Sequence, residues 1–249
     1  MAEAPAHIDI RKFADAATLA ETLAADAAAA IGEGAQRDGR ATLVVSGGRT
    51  PKSFFERLAL KPLAWDQLDV TLADDRWVAA DHDASNERLV RETLLQGPAA
   101  AARFTSLKAA PPTPIMALAE IETRLAALKR PFDFVLLGLG NDGHTASLFP
   151  APATAAPERR GDLEAALDTA GEALCAAITP EPAPADAPFL RMTLTLRALL
   201  DAKRIVVMAT GEEKWRTFDA ARGGGDPMEM PIRAVLRQTE TPVQFCWAP

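Results

Sequence analysis

The chain is predicted to be one α/β domain, a Rossmann-like fold with a largely parallel twisted sheet and helices on both faces. Three observations carry this reading. Short apolar runs of strand length alternate with segments of helical period, the signature of βαβ units. The four strongest runs each end in a polar loop. Of the 249 residues, 48% are hydrophobic, ample for a substantial core, while 24% are charged, an ordinary fraction.

Taken in order, the strong strand-like runs are 41–46, 68–73, 132–137 and 204–209, each apolar and too short for a typical helix. Weaker candidates are 7–10, 191–195 and 243–247. Helical patterns cover 15–36 (very Ala-rich), 51–60, 85–95, 114–129 and 212–222. Two stretches rich in Pro and Ala, 96–114 and 150–188, read as surface connections, because Pro removes backbone donors and breaks regular elements. A helix is expected inside the second, over 163–178. Alternation resumes after both, and neither is a Gly/Ser linker. The expectation is therefore a single domain over residues 1–249, without internal repeats.

Composition narrows the function. No apolar run approaches the ~18 residues of a membrane span, and the start of the chain lacks the basic-then-apolar pattern of a secretory signal. Cys175 and Cys246 are too few for a disulfide framework and have no metal-type spacing, which points to a reducing, cytoplasmic setting. A net charge of −7 without any basic run argues against nucleic acid and anionic membrane as partners. An anionic substrate would need a local cluster of Arg and Lys working against the global charge.

The richest stretch is Phe132-Asp-Phe-Val-Leu-Leu-Gly-Leu-Gly-Asn-Asp-Gly-His144-Thr-Ala-Ser-Leu-Phe-Pro150. An apolar run leads into three glycines, an acid and one of only three histidines, whose unperturbed pKa suits proton transfer near neutrality. A histidine in a turn often does no more than hydrogen-bond a carbonyl, so the neighbouring loops matter. After the run 41–46 come Gly47-Gly48-Arg49-Thr50-Pro51, an anion cradle in chemistry: exposed amides, with Thr50 available to cap the next helix and Pro51 suited to its first turn. After 68–73 come Asp74-Asp75-Arg76-Trp77. After 204–209 come Thr210-Gly211-Glu212-Glu213-Lys214, with Lys214 in a first helical turn, against the dipole preference unless an anion binds nearby. Arg191 opens another strand candidate and offers planar donors suited to phosphate oxygens. If the strands are parallel, these loops share the edge where open sheets place their ligand crevice. Taken one by one, Lys214 and Arg191 read equally as solvated surface residues and Asp75 better as part of a salt-bridged, capped loop. Asp83 or Ser85 would cap the helix that follows.

These residues resemble a known family. Residues 47–51, Asp74-Asp75-Arg76-Trp77-Val78, Ser85-Asn86, Arg191-Met-Thr-Leu194, Gly211-Glu-Glu-Lys214 and above all 138–150 are similar, in the same order from about Val44 to Lys214, to the 6-phosphogluconolactonase family. The resemblance implies a fold related to glucosamine-6-phosphate deaminase and ribose-5-phosphate isomerase. It also implies hydrolysis of 6-phospho-D-glucono-1,5-lactone in the pentose phosphate pathway, with no cofactor. The expected partner is a small-molecule sugar phosphate lactone, no metal is expected, and the chain is expected to be a monomer or weak homodimer. Carried over by position, His144 is the general base. Asp142 and Asp74 line the sugar end, one of them holding His144, and Arg76 faces the lactone oxygens. Gly48, Thr50, Arg191 and Lys214 take the phosphate, with Gly47, Arg49, Asn86, Gly140 and Asn141 as further substrate contacts. One departure stands out: Asp75 occupies a position where this family usually has Glu, and it is left out of the catalytic set.

The nearest rival, an amino-sugar deaminase on the same scaffold, places a Glu five residues after its motif histidine, where this chain has Phe149. A non-catalytic sugar phosphate sensor would bring a DNA- or partner-binding extension, and none is visible. A metal hydrolase lacks recognisable ligand spacing.

Overall fold

The computed structural model describes residues 8–181 and 188–249. Chain order begins β1 (Asp9–Lys12), α1 (Ala16–Asp38), β2 (Ala41–Val45), α2 (Lys52–Leu58), β3 (Leu68–Leu72), β4 (Asp74–Arg76), α3 (Asn86–Thr93) and β5 (Arg103–Thr105). It continues with α4 (Pro114–Ala126), β6 (Phe134–Gly138), α5 (Pro157–Leu167), β7 (Cys175–Ile178), β8 (Arg191–Leu194) and α6 (Leu196–Leu200). The chain closes with β9 (Ile205–Thr210), α7 (Glu212–Arg222), α8 (Ile232–Arg237) and β10 (Val243–Ala248). Local chemistry sets the boundaries. Asp15 caps α1 by accepting from the Thr18 amide (2.7 Å). Ser85 does the same for α3 through the Arg88 amide (3.2 Å).

Seven strands form one sheet in the order β1-β10-β9-β6-β2-β3-β5, and every pairing is parallel. All five residues of β2 and of β3 are buried, as strands covered on both faces must be. Helix α1 packs on β2, β6 and β10 and against α2, and the buried apolar side chains form one continuous cluster. From β2 the chain adds β3 and β5 to one side; β6, β9 and β10 then build the other. The β2–β6 junction is thus a switch point of the sheet, where the loops leaving adjacent strand ends diverge and open a crevice.

A second, three-stranded antiparallel sheet, β4-β8-β7, was not foreseen. It draws on three segments read as loop, weak strand and helix. The helix expected over 163–178 is instead α5, opened by Pro157, followed by a turn in which Asp168 accepts from the Ala170 amide (2.9 Å), and then β7. The Ala content of 175–178 favours a helix locally, but its ladder with β8 prevails, and Glu122 of α4 receives the Leu174 and Cys175 amides (2.8 and 2.9 Å). Likewise β5 lies within the stretch 96–114 read as a surface connection, and α6 and α8 were not anticipated. The weak strand 7–10 is β1 shifted to Asp9–Lys12; His7 and residues 182–187 of the second Pro-rich stretch lie outside the described residues. No helix among the described residues is long and apolar enough to cross a membrane.

Candidate active site

At the β2–β6 switch point lies a cavity of about 350 Å³. Its wall includes Gly47, Gly48, Arg49 and Thr50 after β2, and Asp74 and Arg76 from β4. Asn86 comes from the start of α3, Gly140 and His144 from the loop after β6, Arg191 from β8, and Lys214 from the first turn of α7. Residues spread over more than 160 positions of sequence therefore meet, because parallel strands put all their carboxyl ends on one edge. Among the described residues the lining holds four cations (Arg49, Arg76, Arg191, Lys214) against one acid, Asp74, a positive balance in a chain of net charge −7.

The antiparallel pairing of β4 with β8 explains which members of Asp74-Asp75-Arg76 reach the cavity. Asp74 lies opposite Thr193 and Arg76 opposite Arg191, while Asp75 lies opposite Met192. Strand alternation turns Asp74 and Arg76 to one face and Asp75 to the other. Arg76 thus faces Arg191, itself only 2% exposed, across the ribbon, and both guanidinium groups line the cavity. Asp75 faces away from the cavity and organises its back. Its carboxylate accepts from the amides of Arg76 (2.7 Å), Asn86 (2.7 Å) and Glu87 (3.2 Å) and from Ser85 Oγ (3.3 Å), with Lys108 Nζ at 3.6 Å. Burial pushes the Asp75 carboxyl above its ordinary value, although Lys108 and the three amides pull the other way. Its structural reading fits this placement.

Arg76 and Asn86 form one unit. Arg76 Nη1 donates to Asn86 Oδ1 and to the Ala84 carbonyl (both 2.9 Å), and Asn86 Nδ2 donates to the Asp74 carbonyl (2.9 Å). The Asn86 amide packs so close to Gly47 that a Cβ there would sit 2.0 Å from its oxygen, so this position must be glycine. Gly48, at φ +98°, turns the chain toward α2. Thr50 does not cap that helix. Pro51 stands at the cap position, one residue before the first turn, and makes no side-chain cap bond; Thr50 lines the cavity instead.

The loop after β6 holds His144 by local bonds. Asp142 Oδ1 lies 2.6 Å from His144 Nδ1 and also accepts the His144 amide (3.0 Å). The His144 carbonyl accepts from the Gly140 amide (2.8 Å). A Cβ on Gly140 would meet His144 Nδ1 at 2.0 Å, so this glycine clears space for the imidazole. Partial burial raises the Asp142 carboxyl, but hydrogen bonds and charge from His144 outweigh it and hold the group below the ordinary carboxylate value. An ionised Asp142 accepts only, so in the neutral imidazole the proton sits on Nδ1 and the lone pair on Nε2. Of the two candidate acids, Asp142 is therefore the one on the imidazole. Asp74 instead accepts from Ser147 Oγ (2.5 Å). The Phe149 ring packs against His144 (centroids 4.8 Å apart), and Arg191 Cζ lies 5.9 Å from the same ring.

Lys214 Nζ donates to the Leu139 carbonyl in that loop. Burial pushes its ammonium below the ordinary lysine value, opposed by Asp142 and Glu213. Asn141 is not brought to the cavity; its carbonyl accepts from Thr217 Oγ1 (3.1 Å) and its side chain is exposed. Sequence reasoning passed over Ser147, Ala146 and the lining role of Phe149. Only their place within the histidine motif could have signalled them. Among the described residues no three His, Cys, Asp or Glu side chains gather as a metal-binding group.

Fold and site together define an open α/β protein whose crevice sets a carboxylate-held imidazole beside a cationic wall. The comparisons agree. A model of the family of glucosamine-6-phosphate isomerases and 6-phosphogluconolactonases matches residues 14–247, and the chain belongs to that family. It is 42% identical over 237 residues to a 6-phosphogluconolactonase of Rhizobium meliloti, covering 95% of this chain and 97% of the relative. It is 40% identical over 245 residues to one of Pseudomonas putida, covering 98% and 95%. The crystal structure of a 6-phosphogluconolactonase from Shewanella baltica superposes with a TM-score of 0.90 at 41% identity, covering 98% of each chain.

Proposed function

We propose that the chain hydrolyses 6-phospho-D-glucono-1,5-lactone to 6-phosphogluconate, with His144 as general base and the phosphate held on the cationic wall. The observation that carries this reading is the 2.6 Å pairing of Asp142 with His144 Nδ1 beside a cavity whose other walls carry Arg191, Lys214 and the residue 47–50 loop.

In the proposed reaction His144 Nε2 takes a proton from water as its oxygen attacks the lactone carbonyl. The tetrahedral intermediate places negative charge on the former carbonyl oxygen, where Arg76 supplies a fixed positive partner. Collapse breaks the bond to the ring oxygen, which takes its proton from the imidazolium. The new carboxyl group then ionises. Asp142 stabilises the transient imidazolium. A δ-lactone already hydrolyses in water, so no covalent nucleophile is required. A positioned base contributes about 10²–10⁴-fold, and an oxyanion donor about 10²–10³-fold. Phosphate binding at the unreactive end supplies orientation. Phe149, its ring against His144, stands where the resemblance gives the deaminases a carboxylate, which supports hydrolysis over deamination.

The test is acid release from freshly prepared 6-phosphogluconolactone at low buffer strength. Acceleration over the spontaneous rate, lost in His144→Ala while product binding persists, is the expected result. A rate equal to the spontaneous one rejects the reading.

A further inference from the structure

Ser147 belongs to the histidine motif but has no part in the reaction as written. It is fully buried and lines the cavity. Its hydroxyl donates to Asp74 Oδ2 (2.5 Å). Its amide donates to Thr193 Oγ1 (3.3 Å), and Thr193 is the cross-strand partner of Asp74 in the β4–β8 ribbon. Ser147 thus docks on both members of one strand pair. Two residues earlier, Thr145, also fully buried, bonds the opposite way, its Oγ1 donating to the Gly138 carbonyl at the end of β6 (2.9 Å). Between them Ala146 sits at φ +48°, a left-handed conformation that a side-chain-bearing residue adopts at a cost. That turn sends the chain from the parallel sheet to the antiparallel ribbon.

We propose that Ser147 is a positioning residue: it clamps one oxygen of Asp74, fixing the carboxylate to receive a substrate hydroxyl, and thereby sets the His144 loop in register with the Arg76–Arg191 ribbon. Asp74 Oδ1 accepts no hydrogen bond from the described residues, so one oxygen is committed and the other is left for a ligand. A carboxylate with a single fixed rotamer holds the sugar ring at one angle to His144, and misorientation of a bound substrate lowers its turnover. The inference rests on the reading of this cavity as the lactonase site.

The test is a double-mutant cycle on kcat and KM with Ser147→Ala, Asp74→Ala and the pair, beside His144→Ala. Ser147→Ala should lower kcat/KM about tenfold, mostly in kcat. In the Asp74→Ala background the same change should cost less than about twofold, because the acceptor it acts through is gone. Equal losses in both backgrounds, or a wild-type rate in Ser147→Ala, overturn the proposal. If Ser147→Ala does not fold, Ser147→Cys, which keeps size but weakens the donor, runs the same cycle with the same criteria. A wild-type rate in Asp74→Ala overturns this inference whatever His144→Ala does. Loss of rate in His144→Ala with an additive cycle rejects the Ser147 role alone. A wild-type rate in His144→Ala rejects the base assignment and leaves the Ser147–Asp74 coupling to be read from the same cycle.

Discussion

The two ends of the parallel sheet each carry a cluster of charges around a buried aspartate, and they differ in what the donors face. At the amino end Asp133, its side chain 1% exposed, accepts from Lys203 Nζ (2.8 Å), Lys129 Nζ (2.9 Å), Arg37 Nη2 (3.2 Å) and the Thr42 amide (2.8 Å). Asp38 completes the network through Lys129 (2.7 Å), Arg37 (2.9 Å) and Lys203 (3.3 Å). Every charge there has its counterpart within the protein. At the carboxyl end Asp74 takes one hydroxyl, while Arg49, Arg76, Arg191 and Lys214 surround open volume. A buried charge cluster is therefore not a site by itself. The amino-end network is saturated and locks three chain segments together; the carboxyl-end group lines open volume, the space assigned above to the proposed substrate.

Substitutions at the two ends should separate accordingly. The largest effect is expected for His144→Ala, a kcat lower by about 10²–10⁴-fold with the melting temperature nearly unchanged. An equally large loss of thermal stability would make the two ends alike. Asp133→Ala should do the reverse. Stripping the acid from three cations should cost about 3 kcal/mol in urea unfolding, while kcat/KM of the folded protein stays at the wild-type value. Asp142→Asn tests the link to the imidazole, with an expected fall in kcat of roughly 10–100-fold, as for other groups that orient a functional histidine. Lys214→Ala and Arg191→Ala should raise KM about tenfold each, more than they lower kcat; unchanged KM in both would remove them from the phosphate end. The smallest effect is on the pH dependence of stability. The folded Asp142 carboxyl titrates below its ordinary 3.8, so its contribution is present above that value and is lost as pH falls through the lower folded one. Melting curves of wild type and Asp142→Asn should differ near neutrality and converge in acid.

Sequence pattern alone carried the strong strands, because β2, β3, β6 and β9 are buried on both faces and read as continuous apolar runs. It also carried the glycine loops and named Asp142 and Asp74 as the two acids that could hold His144; the structure puts Asp142 on the imidazole, a bond that closes within three residues. Parallel strands made a shared edge a sound deduction from alternation with helices. What depended on pairing at long range was illegible. The β4–β8 pairing joins residues 115–119 positions apart, and its alternation decided that Asp74 and Arg76 face the cavity while Asp75 turns to α3. Neither the Ser147–Asp74 bond nor the saturation of Asp133 leaves a local trace. Periodicity and short-range hydrogen bonding are written within a few residues of sequence, whereas the partner of a buried charge is chosen only when distant strands align.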